Sequence, residues 1–244
     1  MTEQHAANRP AMQQLRERLD ARFKLTEEAV PLPWSETTYQ ILLPASIDPL
    51  LDAAEADPEE QLPYWATIWP SGIALGDLLL QRRAHFANQR AIELGSGLGI
   101  TATAALAIGM DLLVTDYSPE TLLLCRLNTL RNAGAEPHTL QINWRRPSPA
   151  LFQRAQPPVP LLLAADVLYE QRDIEPLFAL IDRLLAPDGE LWLAEPGRLT
   201  SQQFLRDAAA RDWHDEPIIH AGPWPDPGDK KVVVHIHRLT RTTR

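Results

Sequence analysis

The sequence predicts an α/β fold in which a mostly parallel sheet is covered by helices on both faces and ends in a reversed strand. Three observations carry this reading. Apolar runs at 91–94, 112–115, 140–142, 161–165 and 190–194 alternate with helical segments, and alternation of that kind builds a parallel sheet. Near the C-terminus two further runs, 217–220 and 231–238, are joined only by a Pro/Gly-rich stretch at 222–228. No crossover helix fits there, so these strands pair antiparallel or are separated. The chain has 244 residues, 45% hydrophobic and 23% charged, ordinary values for one large domain with an appendage.

Charge and cysteine usage narrow the class. With 23 Lys and Arg against 32 Asp and Glu the formal charge is -9, which argues against a polyanion-binding surface and hence against nucleic acid as the partner. No run approaches the roughly 18 apolar residues of a membrane span, and the N-terminus lacks the apolar core of a secretory signal. Arg9, Arg16, Arg18 and Arg22 mix with Glu17, Asp20, Glu27 and Glu28, whereas organelle transit peptides are poor in acids. The single cysteine, Cys125, forms no internal disulfide and no zinc cluster, so a reducing, cytoplasmic compartment is expected.

In chain order, Met12, Leu15, Leu19 and Phe23 recur at helical spacing and predict an amphipathic helix over 10–23. A short strand is expected at 38–43 and a solvated helix or loop over the acidic stretch 52–60. The boundary falls near residue 60, giving an N-terminal extension, 1–60, and a main domain, 61–244. Tyr64, Trp65 and Trp69 crowd the segment 63–72 directly before a helix, as core packing or as a ring-stacking lid. Ser118 with Pro119 caps a helix that runs to 132–134. The Pro-rich stretch 147–160 reads as a loop. Asp173 with Pro176 opens another helix, ending before the turn Pro187-Asp188-Gly189, and Thr200 with Gln203 has capping-box spacing ahead of a helix through Arg211.

Chemistry is concentrated at the carboxyl ends of the expected strands, where open α/β sheets bind ligands. Glu93-Leu94-Gly95-Ser96-Gly97-Leu98-Gly99 follows the first strand and opens a helix. A dinucleotide fingerprint counted from Gly95 needs Gly or Ala where Ile100 stands; Gly-x-Gly-x-Gly after an acid is instead the pattern of S-adenosylmethionine enzymes. The next strand ends in Asp116, placed to accept hydrogen bonds from both ribose hydroxyls. Ser118 already caps the following helix, which leaves Asp116 for that role. Asn143 and Trp144 follow the third strand, where an adenine needs an amide or carboxylate and an apolar wall; core packing of the Trp is the competing account. Asp166-Val167-Leu168-Tyr169 closes the fourth and brings a carboxylate and a phenol toward the transferred group.

Taken together, Pro63-Tyr64-Trp65-Ala66, Trp69-Pro70-x-Gly72-x-Ala74-Leu75, Glu93 to Gly99, Asp116, Asp166-x-x-Tyr169 and Glu195-Pro196-Gly197-Arg198 stand in a recognisable order. Over residues 35–240 the chain resembles the seven-β-strand protein lysine methyltransferases, and most of all the branch that modifies the β subunit of electron-transfer flavoprotein. The resemblance implies a Rossmann-like seven-stranded sheet. It also implies S-adenosyl-L-methionine as cofactor, S-adenosyl-L-homocysteine as product, and a protein partner presenting a lysine, with the flavoprotein β subunit as candidate. By the same resemblance Trp69, Glu93, Gly95, Ser96, Gly97, Asp116, Asn143, Trp144 and Ala165 form the cofactor site, with Trp69 at its border, Asp116 on the ribose and Trp144 beside adenine. Asp166 and Tyr169 line the acceptor-lysine channel. Two departures stand out: Asn143 replaces the acid of many relatives, and the N-terminal helix has no counterpart.

Asp166 is expected to orient the acceptor amine and take its proton, and Tyr169 to hydrogen-bond or wall the channel. Metal is not called for. His235 and His237 share one face of the last strand without a third ligand and read as surface residues, while Cys125, among leucines, reads as a core thiol. A small-molecule N-methyltransferase and a non-catalytic adenosyl-binding module are the alternatives on this fold.

Overall fold

A computed structural model of the protein describes residues 3–55, 57, 59 and 62–242. Its centre is a seven-stranded sheet built from β3 (Arg90–Leu94), β4 (Asp111–Asp116), β5 (His138–Gln141), β6 (Val159–Ala165), β7 (Leu185–Glu195), β8 (Trp213–His220) and β9 (Val234–Arg241). The order is β5-β4-β3-β6-β7-β9-β8. The first five pair in parallel, and β9 runs antiparallel to both β7 and β8. The reversed strand therefore lies inside the sheet, and the strand before it in sequence forms the edge.

Alternating side chains divide the strands between two cores, as a pleat requires. Ala91, Leu161, Leu163 and Trp192 face a cluster that contains the buried residues of α3 (Pro70–Gln81), α5 (Ile100–Ala107) and α6 (Pro119–Ala133). Ile92, Leu162, Leu191 and Leu193 face the other, against α7 (Pro149–Ala155), α8 (Ile174–Leu184) and α9 (Leu199–Ala210). A short α4 (Arg83–Phe86) bridges α3 and β3. As expected, Ser118 caps α6, its Oγ accepting from the Thr121 N–H at 3.4 Å, and Cys125 is fully buried. Gly99, N-cap of α5, has φ +80°, and a Cβ there would lie 2.8 Å from the Cys125 sulfur. The third glycine of the motif thus lets α5 and α6 pack closely.

The N-terminal segment forms α1 (Glu3–Asp20), a hairpin of β1 (Leu25–Leu32) and β2 (Thr37–Pro44), and α2 (Asp48–Glu55). Leu15, Leu19, Phe23, Val30 and Ile41 are buried in the first core. Several sequence expectations are corrected here. The helix ends at Asp20 rather than at 23, and the strand at 38–43 has an unforeseen partner in β1, whose outward Glu27 and Glu28 hide its period. The stretch 147–160 contains α7, started by Pro149 at its first position. The turn at 187–189 is an insertion within β7, where the register jumps from Val159–Leu185 to Leu161–Glu190. Thr200 is not a cap, because α9 begins at Leu199 with Arg198 as its N-cap. The expected boundary near 60 falls at residues 60 and 61, outside the described residues, as do residues 56 and 58 of the acidic stretch. No described helix is long and apolar enough to cross a membrane.

One buried charge ties the hairpin to the sheet. Asp77 of α3 is fully buried and accepts the backbone N–H groups of Trp34 at 2.7 Å and Ser35 at 2.8 Å. It also accepts from His220 Nε2 at 3.1 Å, whose Nδ1 accepts the Gly222 N–H and thereby fixes the ring proton. Burial opposes the Asp77 charge, but these donors outweigh it and hold its carboxyl below the usual range. Trp34 stacks on His220 with centroids 3.8 Å apart. Asp77→Ala should cost about 3–5 kcal/mol, because it strands three buried donors at roughly 1–3 kcal/mol each, measured by denaturant unfolding. A cost under about 1 kcal/mol would reject this anchoring role.

Candidate active site

A cleft of about 550 Å³ opens at the carboxyl ends of β3, β4, β5 and β6. Nine of the eleven residues singled out from sequence line it: Trp69, Gly95, Gly97, Asp116, Asn143, Trp144, Ala165, Asp166 and Tyr169. Glu93 and Ser96 do not. Glu93 points into the interior at 1% exposure, and its Oε2 has no hydrogen-bond partner among the described residues. Burial first, then the nearby Asp116, pushes its carboxyl well above the ordinary range. Ser96 lies behind the turn, its hydroxyl 3.4 Å from Asp116 Oδ2.

The floor of the cleft is the turn after β3. Gly95 has φ +77°, and a Cβ there would sit 2.9 Å from a Val167 methyl, so the glycine allows two strand ends to meet. Its N–H donates to Thr115 O at 2.9 Å. Asp116 receives the Gly97 N–H on Oδ2 at 3.3 Å and the Ser118 N–H on Oδ1 at 3.1 Å. Burial nevertheless dominates and pushes its carboxyl up to about 6. Trp144 forms one wall, with an indole N–H that has no partner among the described residues. Asn143 turns its Oδ1 back to the Arg145 N–H at 2.9 Å.

At the other side, Asp166 follows β6 with a left-handed backbone, φ +55°, its N–H donating to Ala194 O at 2.9 Å. Its carboxylate is gripped at both oxygens by Arg198, Nε to Oδ1 at 2.7 Å and Nη2 to Oδ2 at 3.1 Å. The same guanidinium lies 5.5 Å from the Trp69 ring centroid. Tyr64 packs edge-on against Tyr169 at 5.0 Å and faces Trp69 at 6.4 Å. Burial foremost raises the Tyr169 phenol above its ordinary range, so it stays a neutral hydroxyl at physiological pH. Two arginines escaped the sequence reading. Arg198 stood in a motif with no assigned task, and Arg145 bonds Asp173 at 2.7 Å and Glu59 at 2.8 Å across the cleft rim. Basic residues directly after Trp144, opposite an acidic stretch at 52–60, were the available signal for the second.

Residues 58–209, more than half of the chain and every cleft residue from Tyr64 to Asp173, match the model of a family described as lysine methyltransferase. The chain belongs to the lysine methyltransferase family. It is 27% identical over 133 residues to a histone-arginine methyltransferase of Xenopus laevis, covering 53% of this chain and 56% of that protein. It is 28% identical over 142 residues to the electron transfer flavoprotein beta subunit lysine methyltransferase of Mus musculus, covering 56% of this chain and 51% of that one. The chain thus matches little more than half the length of these curated relatives. Among solved structures it is similar to the ribosomal protein L11 methylase of Lactobacillus delbrueckii, with TM-score 0.50 and 20% identity over 69% of this chain and 77% of that chain; a likeness at that identity speaks for the fold.

The family segment ends before β8 and β9, yet β9 supports the cleft. Glu195 Oε2 accepts the N–H groups of Gly197 at 2.6 Å and Arg198 at 3.1 Å, shaping the turn that presents Arg198. Its Oε1 lies 3.5 Å from His237 Nε2, and His237 Nδ1 donates to Asp215 at 2.8 Å. His237 is therefore buried, at 5% exposure, and not the surface residue expected from sequence. Among the described residues no group of three metal-ligating side chains converges. Burial works against charge on His237, but Asp215 and Glu195 outweigh it and push its pKa up to about 9. A raised histidine pKa contributes stability that is complete below about 6.5 and lost as pH rises through the folded value. Denaturant unfolding should show wild type losing on the order of 2 kcal/mol relative to His237→Gln between pH 6.5 and 10; parallel curves would show that the pair carries no net charge coupling.

Proposed function

We propose that this protein transfers a methyl group from S-adenosylmethionine to the side-chain amine of a lysine in a protein substrate, releasing S-adenosylhomocysteine. The observation that carries the reading is one cleft joining the Gly95–Asp116 floor to the Asp166–Tyr169 wall, in a chain of the lysine methyltransferase family. The residues fit the cofactor. The volume of about 550 Å³ lies within the range of small-molecule sites, Asp116 lines the cleft with a lone pair left on Oδ1 and only long contacts at Oδ2 that ribose hydroxyls would replace, and Trp144 offers a ring wall for adenine. Trp69 and Ala165 border the methyl-bearing end, and the backbone of Gly95, Ser96 and Gly97 underlies the amino-acid portion. Glu93, buried beneath the turn, does not touch the ligand. Residues 61–244 form the catalytic domain and 1–60 its cover.

Bound there, the donor supplies an electrophilic methyl on sulfonium, so the amine lone pair forms the N–C bond as the C–S electron pair passes to sulfur. The chain's own residues align and desolvate the acceptor. Asp166 accepts an N–H of the amine on a lone pair left open by Arg198 and orients it. Tyr64, Trp69 and Tyr169 wall the channel and exclude water, and the surplus proton leaves to solvent past Asp166. The Glu195-Pro196-Gly197-Arg198 element and the similarity to a flavoprotein-modifying enzyme support the β subunit of electron-transfer flavoprotein as substrate. The one cysteine, buried, suits a cytoplasmic site of action.

Asp116 gives a pH test of the cofactor assignment. Ribose hydroxyls donate to the carboxylate, so binding favours ionised Asp116, and affinity should fall as pH drops through about 6. Calorimetry should find S-adenosylhomocysteine binding roughly tenfold weaker at pH 5 than at pH 7, with Asp116→Asn weak and flat; identical affinities across that window would reject the ribose role.

The reaction itself is tested by radiolabel transfer from S-adenosylmethionine into a lysate of the source organism, resolved on a denaturing gel beside a small-molecule extract. A discrete protein band yielding labelled methyllysine on hydrolysis, reduced about 100-fold or more in Asp166→Ala, is the expected result. Label confined to the extract, or recovered as methylarginine, would overturn the lysine reading.

A further inference from the structure

A carboxylate beside the acceptor creates an electrostatic difficulty. A lysine amine has a reference pKa near 10.4, and only its neutral form holds the attacking lone pair. An unpaired Asp166 would stabilise the ammonium instead, and so keep the acceptor unreactive. The surroundings of Asp166 differ from that case. Its side chain is 5% exposed and its left-handed backbone, tied to Ala194 O, fixes the direction in which the carboxylate points. Arg198 takes one lone pair from each oxygen in a forked arrangement, which leaves one on each for another donor.

Arg198 cannot easily withdraw. Glu195 holds its backbone N–H, its guanidinium stands over Trp69, and Asp166 stabilises its charge. The other titratable groups facing this pair are Glu195 from the end of β7, Asp229 from the loop before β9, and Tyr64 and Tyr169 across the channel. None is a cation. Among the described residues Arg198 is the cation in contact with Asp166.

We infer that Arg198 is a positioning residue for methyl transfer: it cancels the charge of Asp166 while leaving lone pairs open, so that the carboxylate orients a neutral lysine amine instead of trapping an ammonium. The inference rests on the reading that Asp166 faces the acceptor. With Arg198 removed, Asp166 should bind cations. Two measurements separate this from a structural role.

In the first, methyl transfer to the labelled acceptor protein is followed from pH 6.5 to 10 for wild type, Arg198→Met, Arg198→Gln, Arg198→Lys and Asp166→Asn, with S-adenosylhomocysteine calorimetry as the check on folding. Loss of the cation should displace the rate profile of Arg198→Met and Arg198→Gln upward by roughly one pH unit or more. Their deficit is then about tenfold at pH 7.5 and shrinks toward pH 10, while Arg198→Lys stays near wild type. A deficit equal at every pH overturns the inference. Wild-type rates in Asp166→Asn, or no labelled protein at all, overturn the reading beneath it and the inference with it.

The second uses cofactor-free protein and no reaction. n-Butylammonium chloride is titrated at pH 7 while the Trp69 indole N–H is followed by NMR. The resonance should shift in Arg198→Met, and stay unmoved in wild type and in the Arg198→Met/Asp166→Asn double variant. Equal responses in wild type and Arg198→Met would overturn the inference independently of any substrate.

Discussion

The cleft depends on β3 lying between β4 and β6. The chain runs outward from β3 through β4 to β5 and then returns to β6, and a crevice opens where the direction of winding reverses. Gly95 leaves one side of that switch point and Asp166 leaves the other. Their strand ends come so close that a Cβ on Gly95 would meet the Val167 methyl at 2.9 Å. The two walls of the cleft that leave β3 and β6 therefore meet at Gly95 and Val167 with no room for a side chain between them.

Three carboxylic acids near this junction show how environment divides one functional group into three tasks. Glu93, sealed under the turn with no partner for Oε2 among the described residues, is driven toward its neutral form and acts as packing. Asp116, one layer higher, receives backbone N–H groups on both oxygens but is still dominated by burial, so it gains from any further donor. Asp166 is matched by a full positive charge. The order from interior to rim runs from uncompensated, through partly compensated, to neutralised. Desolvation explains the first two and the fork geometry of Arg198 the third.

Much of the fold was legible because its signals are local. Apolar runs located the five parallel strands, Ser118-Pro119 opened α6, and the missing crossover after 220 implied a reversed strand. Failures came where partners are distant in sequence. The outward acids of β1 conceal its strand period, since one face of a hairpin is enough to bury Val30 and Leu32. That β9 inserts between β7 and β8 is set by its pairing with both neighbours and leaves no local trace in its sequence. The candidate site divides in the same way. Glycines and strand-end acids advertise themselves by spacing, whereas the bond from Arg198 to Asp166 spans 32 positions and has no periodic trace. His237 looked exposed because its neutralising partners, Asp215 and Glu195, sit on two other strands.

The cleft's cover is attached in two physically different ways. Phe23, Leu50 and Ala54 reach it from elements that precede the family segment, and α1 and the hairpin are fixed by apolar burial against α6 and by the Asp77 network. Burial of that kind is not screened by salt and amounts to roughly 1.5–3 kcal/mol for each large side chain. Asp57 and Glu59 are held by polar contacts instead: Tyr117 donates to Asp57 at 2.7 Å and Arg145 to Glu59 at 2.8 Å. Arg145 and Glu59 are largely buried and share further partners in Asp173 and Arg146, so their contacts form a network that salt screens less than an exposed pair. The apolar attachment thus lies against α6 and the polar one beside Tyr117 and Arg145.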